Sequence, residues 1–247
     1  MPPELIARLA EAAARPYQAL GPFAYQWARN KLRWDPMFAA LLELGVLPPG
    51  ARVLDLGCGR SLLAAWLLAA ERLAADGAWT AVPQPPRGLR FEGVELTARH
   101  ADCGRRALAA WGERVHVRTG DLCAAPVDGA QVVTLLDAIH YLAHADQERL
   151  LDRLRRELPP DGVLLARVGD GGAGLRAHGS RLTDRLVLLA QARRWSPLSC
   201  RPLAAWIEAL RSRGLAVTAR PMSAGTPFAN ALLIARVPSP ARRERAG

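Results

Sequence analysis

The spacing of apolar residues changes at Pro48-Pro49-Gly50. Before that point they recur at helical intervals in three pieces: an Ala-rich stretch over 4–15 that Pro16 ends, then 24–33 and 36–44. After it, short apolar runs alternate with helical stretches. Strands are predicted at 52–56, 89–96, 114–119, 131–136, 163–168, 215–220 and 230–237, and helices at 61–75, 98–111, 146–158, 181–194 and 202–213. Alternation of this kind predicts an α/β fold, a mostly parallel sheet with helices on both faces. The connection between the last two strands leaves no room for a crossover helix, so those two are expected to pair antiparallel. Residues 76–88 and Pro159-Pro160-Asp161-Gly162 read as loop and turn. The expected organisation is an N-terminal helical cap over 1–48, a main domain over 49–237 and a disordered basic tail over 238–247.

Composition adds limits. Half of the 247 residues are hydrophobic and 23% are charged, ample for a core and unlike a disordered chain. The longest strongly apolar run, 62–70, is half of what a bilayer requires, and the start Met1-Pro2-Pro3-Glu4 does not resemble a secretory signal. Cys58, Cys103, Cys123 and Cys200 form no CxxC pair, so neither a disulfide framework nor a metal site is expected, and a cytoplasmic location with reduced thiols is. The formal charge of +10 invites a nucleic-acid reading until its position is considered. Residues 1–170 carry 20 basic and 20 acidic groups, whereas 171–247 carry 13 and 3. The excess therefore belongs to the last third of the chain.

The strongest chemical signal is Val53-Leu54-Asp55-Leu56-Gly57-Cys58-Gly59-Arg60-Ser61, a buried strand entering a glycine turn and then a helix. Glycines there let backbone approach a ligand at the carboxyl end of a strand, where open α/β sheets bind cofactors. Two residues weigh against a dinucleotide: Leu62 stands where the pattern needs Gly or Ala, and Asp55 would repel a pyrophosphate. A positively charged cofactor without phosphate fits better.

At this motif the chain resembles the class I S-adenosylmethionine-dependent methyltransferases. The resemblance covers about residues 50–237 and implies a Rossmann-like fold of seven strands with an antiparallel last strand. It implies that Asp55, Gly57, Cys58, Gly59 and Ser61 receive the methionine part of the cofactor, Ser61 replacing a common third glycine. Glu95 with Leu96, at the end of the second strand, would take the ribose hydroxyls, and Asp121 with Leu122 the adenine amino group. Asp137 in Leu136-Asp137-Ala138-Ile139-His140-Tyr141-Leu142 matches the fourth motif, which implies a further cofactor-binding residue. Any one such acid is commonly a helix cap or a solvated strand end; four in order at successive strand ends carry the resemblance.

For the acceptor, His140 and Tyr141 just past the fourth strand are the catalytic candidates, His140 as base or as orienting group. His144 is expected at the next helix start, and His178 is a weaker candidate. Six of the 14 aromatic residues fall between Tyr17 and Phe38. Tyr25 and Trp27 are the candidates to line an acceptor pocket, while Trp34 and Phe38 read as packing residues. Residues 21–33 and 220–230 resemble the methyltransferases of bacterial aryl-polyene pigment pathways, which implies a phenolic aryl or polyene acceptor, free or tethered to an acyl carrier protein. An acidic carrier would dock on the basic 171–201 region. An RNA methyltransferase and a non-catalytic cofactor- or partner-binding protein are the alternatives.

Overall fold

The computed structural model describes residues 1–170, 199–222 and 230–239. They fall into two compact units, Met1–Ala125 and Pro126–Gly247. In the first, helix α1 (Pro3–Ala14) starts on a proline, whose missing N–H is no loss in a first turn. A short 3₁₀ segment (Arg15–Leu20) buries Tyr17, and Gly21, at φ +106°, turns the chain into α2 (Pro22–Trp34). Asp35 caps α3 (Pro36–Glu43) by accepting the Met37 N–H at 3.1 Å. Then come β1 (Arg52–Leu56), α4 (Leu62–Ala75), β2 (Arg90–Glu95), α5 (Ala98–Ala107) and β3 (Val115–Thr119). Strands β1, β2 and β3 run parallel, with Asp55 opposite Gly93 and Gly93 opposite Val117.

Every residue from Leu62 to Ala70 is buried, so the long apolar run is the core-facing half of α4. α1 packs against α4, and the Trp66 indole donates to the Phe38 carbonyl at 2.8 Å. Among the described residues no helix is long and apolar enough to cross a membrane.

The second unit contains β4 (Val132–Leu136), a 3₁₀ turn (Ile139–Tyr141), α6 (His144–Glu157), β5 (Val163–Gly169), α7 (Leu203–Arg211), β6 (Ala216–Pro221) and β7 (Asn230–Arg236). β4 and β5 are parallel; β7 runs antiparallel to both β5 and β6, as the short final connection requires. The strand order is 3-2-1-4-5-7-6, the mixed seven-stranded sheet with an antiparallel last strand that the resemblance implies.

Two details depart from the pattern-based expectation. The helix expected over 98–111 ends at Ala107, and Gly112, at φ +53°, breaks the 3₁₀ turn that follows. α6 begins two residues early, putting His144 at its start. The helix expected at 181–194 and all but the first two residues of the expected tail lie outside the described residues, as does His178.

Candidate active site

The glycine turn is built by backbone that only particular residues adopt easily. Gly57 has φ +80°, Gly59 φ +55° and Ser61 φ +62°, so the chain turns tightly between β1 and α4. The Gly57 and Cys58 N–H groups both donate to the Val94 carbonyl, at 2.8 and 3.1 Å, which binds the turn to β2. Two further glycines make this approach possible. A Cβ on Gly93 would lie 2.8 Å from Cys58 Sγ, and one on Gly104 would lie 2.4 Å from Ser61 Oγ. Both were legible in principle, as a glycine inside a strand and another inside a helix.

Cys58 and Asp55 are buried at the turn. Burial pushes the Cys58 thiol far above its ordinary range, with the Asp55 charge adding to it, so Cys58 is a packing residue rather than a nucleophile. From the other side, the buried Tyr17 hydroxyl donates to the Arg60 carbonyl at 2.7 Å, anchoring the turn to the N-terminal helices.

Glu95, at the end of β2, is held on both oxygens. Oε2 accepts the Gly59 N–H at 3.0 Å and Oε1 accepts the Thr97 N–H at 2.8 Å. A carboxylate oxygen has two acceptor positions, so this geometry fixes the group while leaving capacity for a ligand's hydroxyls. His100 lies 4.0 Å from Oε1, and burial chiefly lowers its pKa, which keeps it neutral near pH 7 and leaves Glu95 without a competing cation there. Leu96 follows with an exposed side chain. Asp121 Oδ1 accepts the Cys123 N–H at 2.8 Å, a local turn that orients its exposed carboxylate, and Leu122 is half-buried beside it. A tight glycine turn that brings backbone close, a pinned carboxylate and an apolar side chain together suit a ligand with a ribose, a base and an amino-acid end.

Of the aromatic candidates, Trp27 reaches the turn: the Arg60 guanidinium lies 4.4 Å from its ring centroid. Tyr25, the other candidate, joins two helices. Its hydroxyl donates to Glu11, which also accepts from Arg29 Nε at 2.8 Å, so Tyr25 ties α2 to α1. Trp34 is exposed rather than packed, with Arg33 against its ring, whereas Phe38 packs as expected, 5.8 Å from Trp66.

In the second unit Asp137, at φ +60°, forms a two-pronged ion pair with Arg167 of β5. Arg167 is buried, and a buried guanidinium demands such a partner. Sequence reasoning missed it, although an arginine within the apolar run of β5 was the signal. His140 is buried in the 3₁₀ turn, its ring 4.4 Å from that of Tyr141.

Comparison with known proteins now decides the family. A methyltransferase domain family matches residues 26–219. The chain belongs to that methyltransferase family. Among solved structures it is similar to an O-methyltransferase family protein from Burkholderia thailandensis, at 21% identity and a TM-score of 0.61, covering 90% of this chain and 62% of that one. It is likewise similar to a geranyl diphosphate methyltransferase solved in complex with SAM, at 17% identity and TM-score 0.61, covering 87% and 89% of the two chains. A third is the pyocyanin biosynthetic protein PhzM, at 18% identity and TM-score 0.57, covering 90% of this chain and 61% of that one. No curated protein matches the sequence.

Proposed function

We propose that this methyltransferase acts on a small aromatic, phenolic acceptor, free or carrier-bound, in a pigment-forming pathway of the aryl-polyene type. The methyl donor is S-adenosylmethionine. The single observation that carries the reading is the doubly held Glu95 beside the Gly57–Ser61 turn, a carboxylate fixed before any ligand arrives. Asp55 is the residue for the donor's amino group, Glu95 for its ribose hydroxyls, Leu96 and Leu122 for apolar contact with its base, and Asp121 for the base's amino group. When bound, the donor supplies a methyl group on a positively charged sulfur, and the chain's own task is alignment and exclusion of water.

His140 accepts the phenolic proton, with Tyr141 beside its ring. Asp137, committed to Arg167, holds the start of the His140 turn. Trp27, whose ring carries the Arg60 guanidinium, and Tyr25 are the aromatic residues for the acceptor. The neighbours' names support a small-molecule acceptor: PhzM belongs to pyocyanin biosynthesis, and another solved relative, an O-methyltransferase family 2 protein from Planctomyces limnophilus at 17% identity, is in complex with apigenin.

The test is methyl transfer from radiolabelled donor to phenolic acids, to carrier-bound aryl acids and to total RNA. Label in a phenol or a carrier-bound aryl acid, abolished by Asp55→Ala and strongly reduced by His140→Ala, supports the reading. Label confined to RNA overturns it.

A further inference from the structure

The side chain of Gln147 is wholly buried in the first turns of α6, at 0% exposure, yet it does nothing for its own helix. Its amide nitrogen reaches three backbone carbonyls outside α6: Ile139 at 3.2 Å, Leu142 at 3.2 Å and Ser199 at 2.8 Å. Its amide oxygen accepts from Arg201 Nε at 2.8 Å. The Ser199 N–H closes the ring by donating to the His140 carbonyl at 3.0 Å. Arg201 is fixed in turn by Glu148, by the His144 carbonyl at 3.3 Å and by the Trp206 ring at 5.0 Å. His140 thus sits between two carbonyls held by one amide, with the chain at 199–201 held by the same group.

We infer that Gln147 is a positioning residue for His140: it clamps the turn 139–142 to residues 199–201 and so fixes the acceptor side of the site. This rests on the role assigned to His140 above. A primary amide is the side chain that both donates to carbonyls and accepts from an arginine at one point. Burying it is costly unless every bond is made, which ties the geometry of the turn to that of 199–201. Leucine or methionine would fill the volume and take the amide donor from all three carbonyls, of which Ile139 keeps a backbone donor, the Leu142 N–H at 3.1 Å.

Two variants separate the functions of the amide. Gln147→Met removes donor and acceptor at nearly constant volume; Gln147→Glu keeps an acceptor for Arg201 and loses the N–H groups. Asp152→Ala, which removes an exposed partner of Arg213, serves as a control for modest loss of stability. The first readout needs no acceptor. Amide hydrogen exchange at 139–142 and at 199–201 should accelerate together, about tenfold or more, in both Gln147 variants and not in the control. The second is kinetic, with the phenolic acceptor proposed above. A displaced base should lower kcat by roughly tenfold to a hundredfold while KM for the methyl donor changes less than about twofold. Should Gln147→Met fail to fold, Arg201→Gln, which loosens only the 199–201 side, should still speed exchange there. Exchange unchanged at either segment, or full kcat in a folded Gln147→Glu variant, overturns the clamp. A wild-type protein that labels no phenol sinks the proposed acceptor, while the exchange result still decides the clamp.

Discussion

At the scale of single residues the candidate site is a matter of which side chain holds which. In Glu95→Gln, one oxygen that now accepts a backbone N–H would become an NH₂ facing a donor. Hydrogen bonds to charged groups contribute about 1.5–3 kcal/mol, so S-adenosylhomocysteine should bind roughly tenfold to a hundredfold more weakly by calorimetry. Unchanged affinity would show that Glu95 belongs to the turn and not to the ligand. The close pair Ser61 and Gly104 makes a second prediction. Gly104→Ala drives a methyl group to 2.4 Å from Ser61 Oγ, and overpacking of this sort costs about 1–3 kcal/mol, partly offset by alanine's better helix propensity. In a Ser61→Gly background the obstructing hydroxymethyl is gone and φ +62° is unstrained. The cost of Gly104→Ala in denaturant unfolding should therefore shrink sharply, and additivity of the two changes would refute the contact. The carboxylates at strand ends and the glycine turn were legible in the sequence because strand, glycine and acid stand adjacent in the chain. Gln147 was not: it lies in the polar run Asp146-Gln147-Glu148-Arg149, where nothing marks it as buried, and its partners at Ser199 and Arg201 are more than fifty residues away.

Among the elements, boundaries followed wherever proline or glycine punctuates the chain, as at Pro22, Pro36 and Pro159 to Gly162. A Cβ on Gly162 would stand 2.7 Å from the Pro159 carbonyl oxygen, so that turn requires glycine. The misjudged end of α5 has the same physics: Ala107 to Trp111 keeps an apolar helical pattern, but Gly112 at positive φ redirects the chain into β3 and shortens the helix. Between α6 and the segments on either side of α7, Glu148 receives hydrogen bonds from Arg201 and Arg213, and Asp152 accepts a third from Arg213. Burial works to raise the Glu148 pKa, but the two arginines outweigh it and hold the carboxyl below its ordinary value. A carboxyl with a depressed folded pKa stabilises the protein above its unfolded pKa, near 4.5, and the contribution disappears as pH falls through the folded value. Glu148→Gln should accordingly lower Tm at pH 7, and the gap from wild type should close on acidification below about pH 4.5. A gap that persists at pH 3 would mean that Glu148 acts through packing and not through its charge. Glu148 is well exposed, so the gap is expected to be small.

For the whole molecule, the charge of +10 is where the sequence was most suggestive and least decisive. A basic docking face was expected over 171–201. Of that span the structure describes 199–201, and Arg201 there is no loose surface charge: Gln147, Glu148 and Trp206 hold it. Arg167 and Arg213, also in the second unit, are paired with carboxylates as well. The net charge already subtracts these carboxylates, so the pairs leave +10 unchanged, but they hold each of these guanidiniums against an acid of its own chain. Arginines held in this way are poorly placed to reach an RNA backbone, and phosphate binding depends on cations that can displace condensed counterions. Total RNA should therefore bind weakly, and its binding between about 50 and 200 mM salt should fall along a shallow slope, equivalent to few phosphate contacts. Filter binding across that range measures it. A slope of many contacts that survives Arg201→Gln, together with methyl label in the RNA, would return the chain to the nucleic-acid reading. Methyl transfer to a phenol that is indifferent to salt would instead place the basic excess outside the chemistry altogether.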